Sequence, residues 1–84
     1  MGYLTIIWDL DDDTNGNVQH IAEHDLTKEE VEEVLANPEG HATSRSSGLP
    51  IVFGTTFTGR FIAVVFEEID ADTAKPVTAY DIEE

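Results

Sequence analysis

Phe61-Ile62-Ala63-Val64-Val65-Phe66 is the longest apolar run in the chain, and both of its alternating sets of side chains are hydrophobic. A strand with one solvated face alternates apolar with polar residues, so a run like this one belongs inside a sheet with both faces covered. It is also far too short to cross a bilayer. Immediately before it, Leu49 to Phe57 reads as a strand around Gly54, and Thr58-Gly59 turns the chain between the two. Further upstream, His41 to Ser46 has the polarity of an edge strand and is closed by the turn Ser47-Gly48. After Phe66, the residues Ile69 to Lys75 read as a polar loop. Pro76 to Ile82 then form a last strand with Pro76 at its start, where a missing N–H is tolerated.

The N-terminal half supplies the helices. Tyr3 to Trp8 is aromatic and β-branched and predicts an opening strand. Asp9-Leu10-Asp11-Asp12-Asp13-Thr14-Asn15-Gly16 follows as a solvated acidic turn. Val18, Ile21 and Ala22 line one side of a short helix ending near His24. The second helix has a full set of start and stop signals. Thr27 with Glu30 three residues on is a capping box, and Leu26 and Val31 bracket it as a hydrophobic staple. Val31, Val34 and Leu35 make the apolar stripe, and Asn37-Pro38-Glu39-Gly40 ends the helix. The order strand, two helices, then strands joined by short turns predicts one α+β domain over 1–84. Two short helices pack on a four- or five-stranded, mainly antiparallel sheet. The expected core includes Ile7, Val31, Val34, Leu35, Val52, Val64 and Phe66.

Charge narrows the function classes. Eighteen Asp and Glu oppose four Lys and Arg among 84 residues, a formal net charge of −14. Such a chain repels phosphate backbones and anionic lipid surfaces, so direct nucleic-acid binding is disfavoured and no membrane partner is expected. The absence of cysteine removes disulfides, thiolate metal sites and thiol catalysis. The first residues lack the basic region that opens a secretory signal, which leads to a cytoplasmic expectation. Apolar residues on both faces of Phe61–Phe66, with only two helices to cover them, point to a homodimer or a bound protein.

Several constellations carry chemistry on paper. Asp11-x-Asp13-x-Asn15-Gly16 reproduces the opening of a calcium loop, but the position for its bidentate glutamate holds Ala22, which favours a plain acidic turn. His20 and His24 have the four-residue spacing of two metal ligands on one helix face, without a third ligand nearby in the pattern. No metal or other cofactor is therefore assigned. Among the four basic side chains, Lys28, Arg45, Arg60 and Lys75, Arg60 stands at the start of the most apolar strand. Its planar fork suits a phosphate or a carboxylate, and in so acidic a chain its own carboxylates are the stronger competitors. Tyr80 on the last strand is a proton donor, a stacking group or a half-buried aromatic.

In pattern, the chain resembles the BrnT-type toxin family of bacterial toxin–antitoxin systems, within the RelE-like ribonuclease superfamily. Ile7-Trp8-Asp9 is similar to the family's opening strand, and Asn17 through His24-Asp25, with Leu26-Thr27 and Glu29-Glu30-Val31, is similar to its Asn-x-x-Lys-His-Gly segment and following helix. Gly54-Thr55, Gly59-Arg60 and the apolar run after it resemble the family's strand pair, and Val77-Thr78-Ala79 its final strand. The resemblance implies RNA cleavage and neutralisation by an antitoxin, with His24 and Arg60, and Arg45 as a third, at the family's catalytic positions. Two departures matter: Glu23 stands where the family has Lys, and Tyr80 where it has Arg. Metal-free RNA cleavage needs proton carriers, here His24 or Tyr80, and cations for the phosphorane charge. Each lost cation weakens that stabilisation. The expectation is a divergent toxin-like interaction protein with lost or weak nuclease activity and a basic, antitoxin-like partner. The alternative is a metal-independent endoribonuclease toxin of a toxin–antitoxin pair.

Overall fold

The computed structural model describes residues 2–82. In chain order the elements are β1 (Thr5–Ile6), α1 (Asn17–Ala22), α2 (Lys28–Ala36), β2 (Gly40–Thr43), β3 (Pro50–Thr55), β4 (Phe61–Asp70) and β5 (Thr73–Asp81). The strands form one five-stranded sheet in the order β1-β5-β4-β3-β2, which places the Phe61–Phe66 run at its centre. Three of the pairings are antiparallel, and β1 pairs parallel with β5, so the sheet is mixed.

Both helices lie on one face of the sheet. Ile62, Val64 and Phe66 point toward them and join Ile21, Leu26, Val31, Val34, Leu35 and Val52 in a buried core. Tyr3 meets Phe66 edge to face, with ring centroids 5.1 Å apart. The capping box of α2 is complete: the Thr27 hydroxyl accepts from the Glu30 amide, and the Glu30 carboxylate accepts from the Thr27 amide. At Gly54 α2 packs close against β3, since a Cβ there would stand 3.1 Å from a Val34 methyl. The opposite face of the sheet carries a second apolar cluster of Ile51, Ala63 and Val65, with Leu49, Phe53, Val77 and Ile82 packed against it.

Four expectations need correction. Ile69 to Lys75 is not a loop: β4 continues to Asp70 and β5 begins at Thr73. Polarity there marks solvent exposure, because a hairpin end satisfies its backbone by cross-strand pairing whatever its side chains. Glu67 opposite Lys75 adds an attractive pair to that ladder. The opening strand shrinks to two residues, as β1 meets β5 only at Thr73 and Ala74. Ile7 is 37% exposed, while Ile6 and Trp8 pack against the core. Finally, α1 ends at Ala22, so His20 and His24 do not share a helix face.

Beyond β1, the outer edge of β5 is covered by α1. Asn17 donates to the carbonyls of Ile7 and Pro76, and His20 Nδ1 stands 3.2 Å from the Val77 carbonyl. Side chains of a short helix thus take the place of a missing strand.

Candidate functional site

Arg60 is the residue on which the sequence-based candidates converge. It follows Gly59, whose φ of 86° turns the chain out of β3 and into β4. The hairpin holds its backbone through Thr56, whose amide donates to the Arg60 carbonyl and whose hydroxyl accepts from the Arg60 amide. From there the guanidinium reaches the turn between α1 and α2. Nη1 donates to the Asp25 carbonyl at 2.6 Å and Nη2 to the His24 carbonyl at 3.1 Å. Nε and Nη2 together grip both oxygens of Asp81. Glu30 Oε1 lies 3.7 Å from Nη1. Asp25 has a φ of 60°, a left-handed conformation that aspartate tolerates better than most residues.

These contacts set the local electrostatics. Burial pushes the Glu30 carboxyl up, but hydrogen bonds from the Thr58 hydroxyl and Thr27 amide, with the Arg60 charge, outweigh it and leave the group below its ordinary range. The bidentate bonds from Arg60 hold the Asp81 carboxyl low, and the same bonds raise the arginine. A phosphate approaching Arg60 therefore competes with a carboxylate already bound in the geometry that suits the fork. Arg60 is paired with the protein's own acids, the stronger of the two roles expected for it.

The other expected site residues are distributed unevenly. The His24 and Tyr80 rings stand 6.4 Å apart, near the Arg60 corner, and both side chains are exposed. Arg45 is exposed in the turn between β2 and β3, and among the described residues it makes no ion pair. That turn is at the Pro50 end of β3, and Arg60 lies beyond the Thr55 end. About 16 Å of strand separates the two positions. The two arginines do not form one cationic cleft.

The acidic turn is occupied by its neighbours. Asp13 accepts from the Asn15 amide, and Asp11 accepts from Lys28 Nζ at 2.9 Å. Among the described residues, no three His, Asp or Glu side chains are grouped to hold a metal ion. Other acids tether loops: Glu32 accepts from the Trp8 indole, Glu33 from the Phe57 amide and Glu39 from the Thr55 amide.

Sequence reasoning missed the role of Asn17. It is 3% exposed; its side-chain oxygen accepts from the Asp9 amide, and its own amide donates to the Asp9 carboxylate. With its two bonds to Ile7 and Pro76, it joins the end of the opening segment, α1 and β5. Its partners are up to 59 positions away in the chain, so no local pattern announces them.

The face of the sheet away from the helices has two hollows. One, about 420 Å³, lies among Phe53, Phe61 and Ile82, with Glu39 and Gly40 at its rim. Phe53 and Phe61 stack beside it with centroids 6.4 Å apart. The second, about 360 Å³, is lined by Ile51, Val65, Val77 and Tyr80 and bordered by Ser44 and Ser47. No helix among the described residues is long and apolar enough to cross a membrane. The chain matches no protein-family model, no curated protein and no solved structure.

Proposed function

We propose that this chain is a divergent BrnT-like protein, with a RelE-like layout, that has lost or weakened its nuclease activity. Its role is to bind a basic, antitoxin-like protein. The observation that carries this reading is the state of Arg60. The cation best placed to hold a phosphate is gripped by Asp81 and the carbonyls of His24 and Asp25, with Glu30 beside it. Arg45 lies at the far end of β3 and cannot complete a phosphate site with it. A surface of net charge −14 slows encounter with RNA and speeds encounter with a cationic protein.

The 6.4 Å approach of His24 to Tyr80 favours a second reading, a metal-independent endoribonuclease using these two side chains for proton transfer. It requires Arg60 to leave Asp81 for the substrate. One pair of measurements separates the readings. Purified protein is incubated with a broad RNA set, with and without EDTA, and native lysate is passed over the immobilised protein at low and high salt. The first reading expects intact RNA and a stoichiometric basic partner released by salt. EDTA-resistant cleavage that disappears in His24→Ala establishes the second.

A further inference from the structure

We propose that the free edge of β2 pairs with β2 of a second copy of this chain, joining two five-stranded sheets into one. The proposal goes beyond the interaction reading above and uses a different surface. The two edges of the sheet differ. On the β5 side the edge is closed by β1 and by side chains of α1. On the β2 side no element of the described chain pairs beyond it, and His41, Ala42 and Thr43 are exposed.

Backbone geometry defines what this edge offers. Ala42 faces Ile51, and in the same register the Ser44 amide donates to the Leu49 carbonyl. Antiparallel ladders bond alternate residues, so Ala42 turns its N–H and C=O to β3 while His41 and Thr43 turn theirs to solvent. Such an edge is a template for another strand, and proteins block it with charged side chains, proline or a covering element. Gly40-His41-Ala42-Thr43 contains no Lys, Arg, Asp, Glu or Pro and has no cover among the described residues.

Charge selects the occupant. All eighteen acids lie in 1–39 and 67–84; from Gly40 to Phe66 there is none, and the segment carries Arg45 and Arg60. Glu39, the last acid before β2, turns back to accept from the Thr55 amide on β3. Strand β5 lies three strand spacings, about 14 Å, from β2, beyond the screening length of about 8 Å at physiological salt. Two copies can meet at this edge with their acidic regions apart. A basic partner finds its carboxylates elsewhere on the molecule.

The edge is also self-complementary. A two-fold axis at Ala42 sets His41 opposite Thr43 of the second copy, and the outward residues exchange four N–H···O=C bonds. The two Ala42 residues then form the non-hydrogen-bonded pair, whose Cα atoms approach to about 4.5 Å and favour small side chains. Moving the axis to Thr43 draws the turn at Arg45 into the ladder. Moving it to His41 draws in Glu39, whose amide already donates to the Phe53 carbonyl. Two four-residue strands bury less than the roughly 1,200 Å² of a stable interface, so the dimer is weak and reversible.

The test is sedimentation equilibrium of the full chain from about 10 μM to 1 mM at low and high salt, with amide hydrogen exchange by NMR across the same range. A dimer is expected in the upper part of the range, strengthened by salt as the acidic regions are screened. Exchange at the His41 and Thr43 amides slows as it forms, while Ala42, already bonded to β3, does not change. Thr43→Pro removes an outward N–H that β3 does not use, a place where an edge tolerates proline. With two of the four bonds lost, it is expected to weaken the dimer about tenfold or more. Arg45→Glu leaves the backbone intact and brings a carboxylate to each side of the edge; it weakens the dimer at low salt, and added salt restores it. Phe57→Ser, at the exposed tip of the β3–β4 hairpin, leaves association unchanged. Circular dichroism checks the fold of each variant.

A monomer throughout the range with fast exchange at both outward amides overturns the proposal. So does a dimer in which those amides stay unprotected, or one that folded Thr43→Pro and Arg45→Glu form as well as the parent. If an added acidic peptide slows the same amides in a protein that stays monomeric, the edge belongs to a foreign strand and the second copy is overturned. None of these outcomes depends on RNA cleavage or on a basic partner, so the reading above stands or falls separately.

Discussion

Arg60 is a structural cross-link. Its guanidinium ties the turn after α1, the start of α2 and the end of β5 to the β3–β4 hairpin, and it lies against a carboxylate, Glu30, that is 3% exposed. Removing the cation leaves that carboxylate buried without its counter-charge and two carbonyls without donors. Arg60→Ala is therefore expected to cost about 2 kcal/mol in urea unfolding. Arg60→Lys recovers little, because a point charge cannot span the fork that Asp81 and the two carbonyls require. Unchanged stability in Arg60→Ala would show a guanidinium free for other work. The same site sets a pH dependence. Glu30 and Asp81 titrate below their unfolded values, so the stability they contribute is complete above the ordinary carboxylate range and is lost as pH falls through their folded values.

At the scale of elements, β1 shows how little of a strand survives when its neighbours are taken. The residues from Tyr3 to Trp8 have the composition of a full strand, yet β1 has only two paired positions, because α1 occupies the β5 edge from Pro76 onward. Alternation still decides which side chains pack, and it selects Ile6 and Trp8 over Ile7. Ile6→Ser is expected to lower stability by about 1–2 kcal/mol, while Ile7→Ser stays within about 0.5 kcal/mol of the parent. Equal losses at the two positions would mean that the strand is rotated from the orientation described. In α2 every local signal agrees with the tertiary packing: cap, staple, apolar stripe and proline stop all point to the same nine residues. In α1 they do not, and six residues of helix depend on Asn17 and His20 reaching β5.

For the whole molecule the governing quantity is the net charge of −14. With eighteen acids against four bases the excess carboxylates repel one another, and salt screens that repulsion more than it weakens the few ion pairs present. Thermal melting is expected to rise with added sodium chloride. It is expected to peak on the acid side of neutrality, where partial protonation relieves the repulsion. Below about pH 4 it falls, as Glu30 and Asp81 are lost. A melting temperature that falls steadily with salt at neutral pH would show that specific ion pairs outweigh the overall field.

The sequence by itself determined the elements whose signals are local: the boundaries of α2, the central place of Phe61–Phe66, the edge character of the segment after His41, and the sign of the surface. Each depends on neighbours a few positions apart, which capping chemistry and alternation report directly. Tertiary structure alone decided the rest. It joined β1 in parallel to β5 and extended the β4–β5 hairpin through residues whose polarity suggested a loop. It made Asn17 a junction between distant segments. It turned Arg60 inward to Asp81, 21 positions away, and left Arg45 at the other end of β3. Composition gives a side chain its capacity to bind, but the competing partners that distant segments bring to it decide which binding occurs.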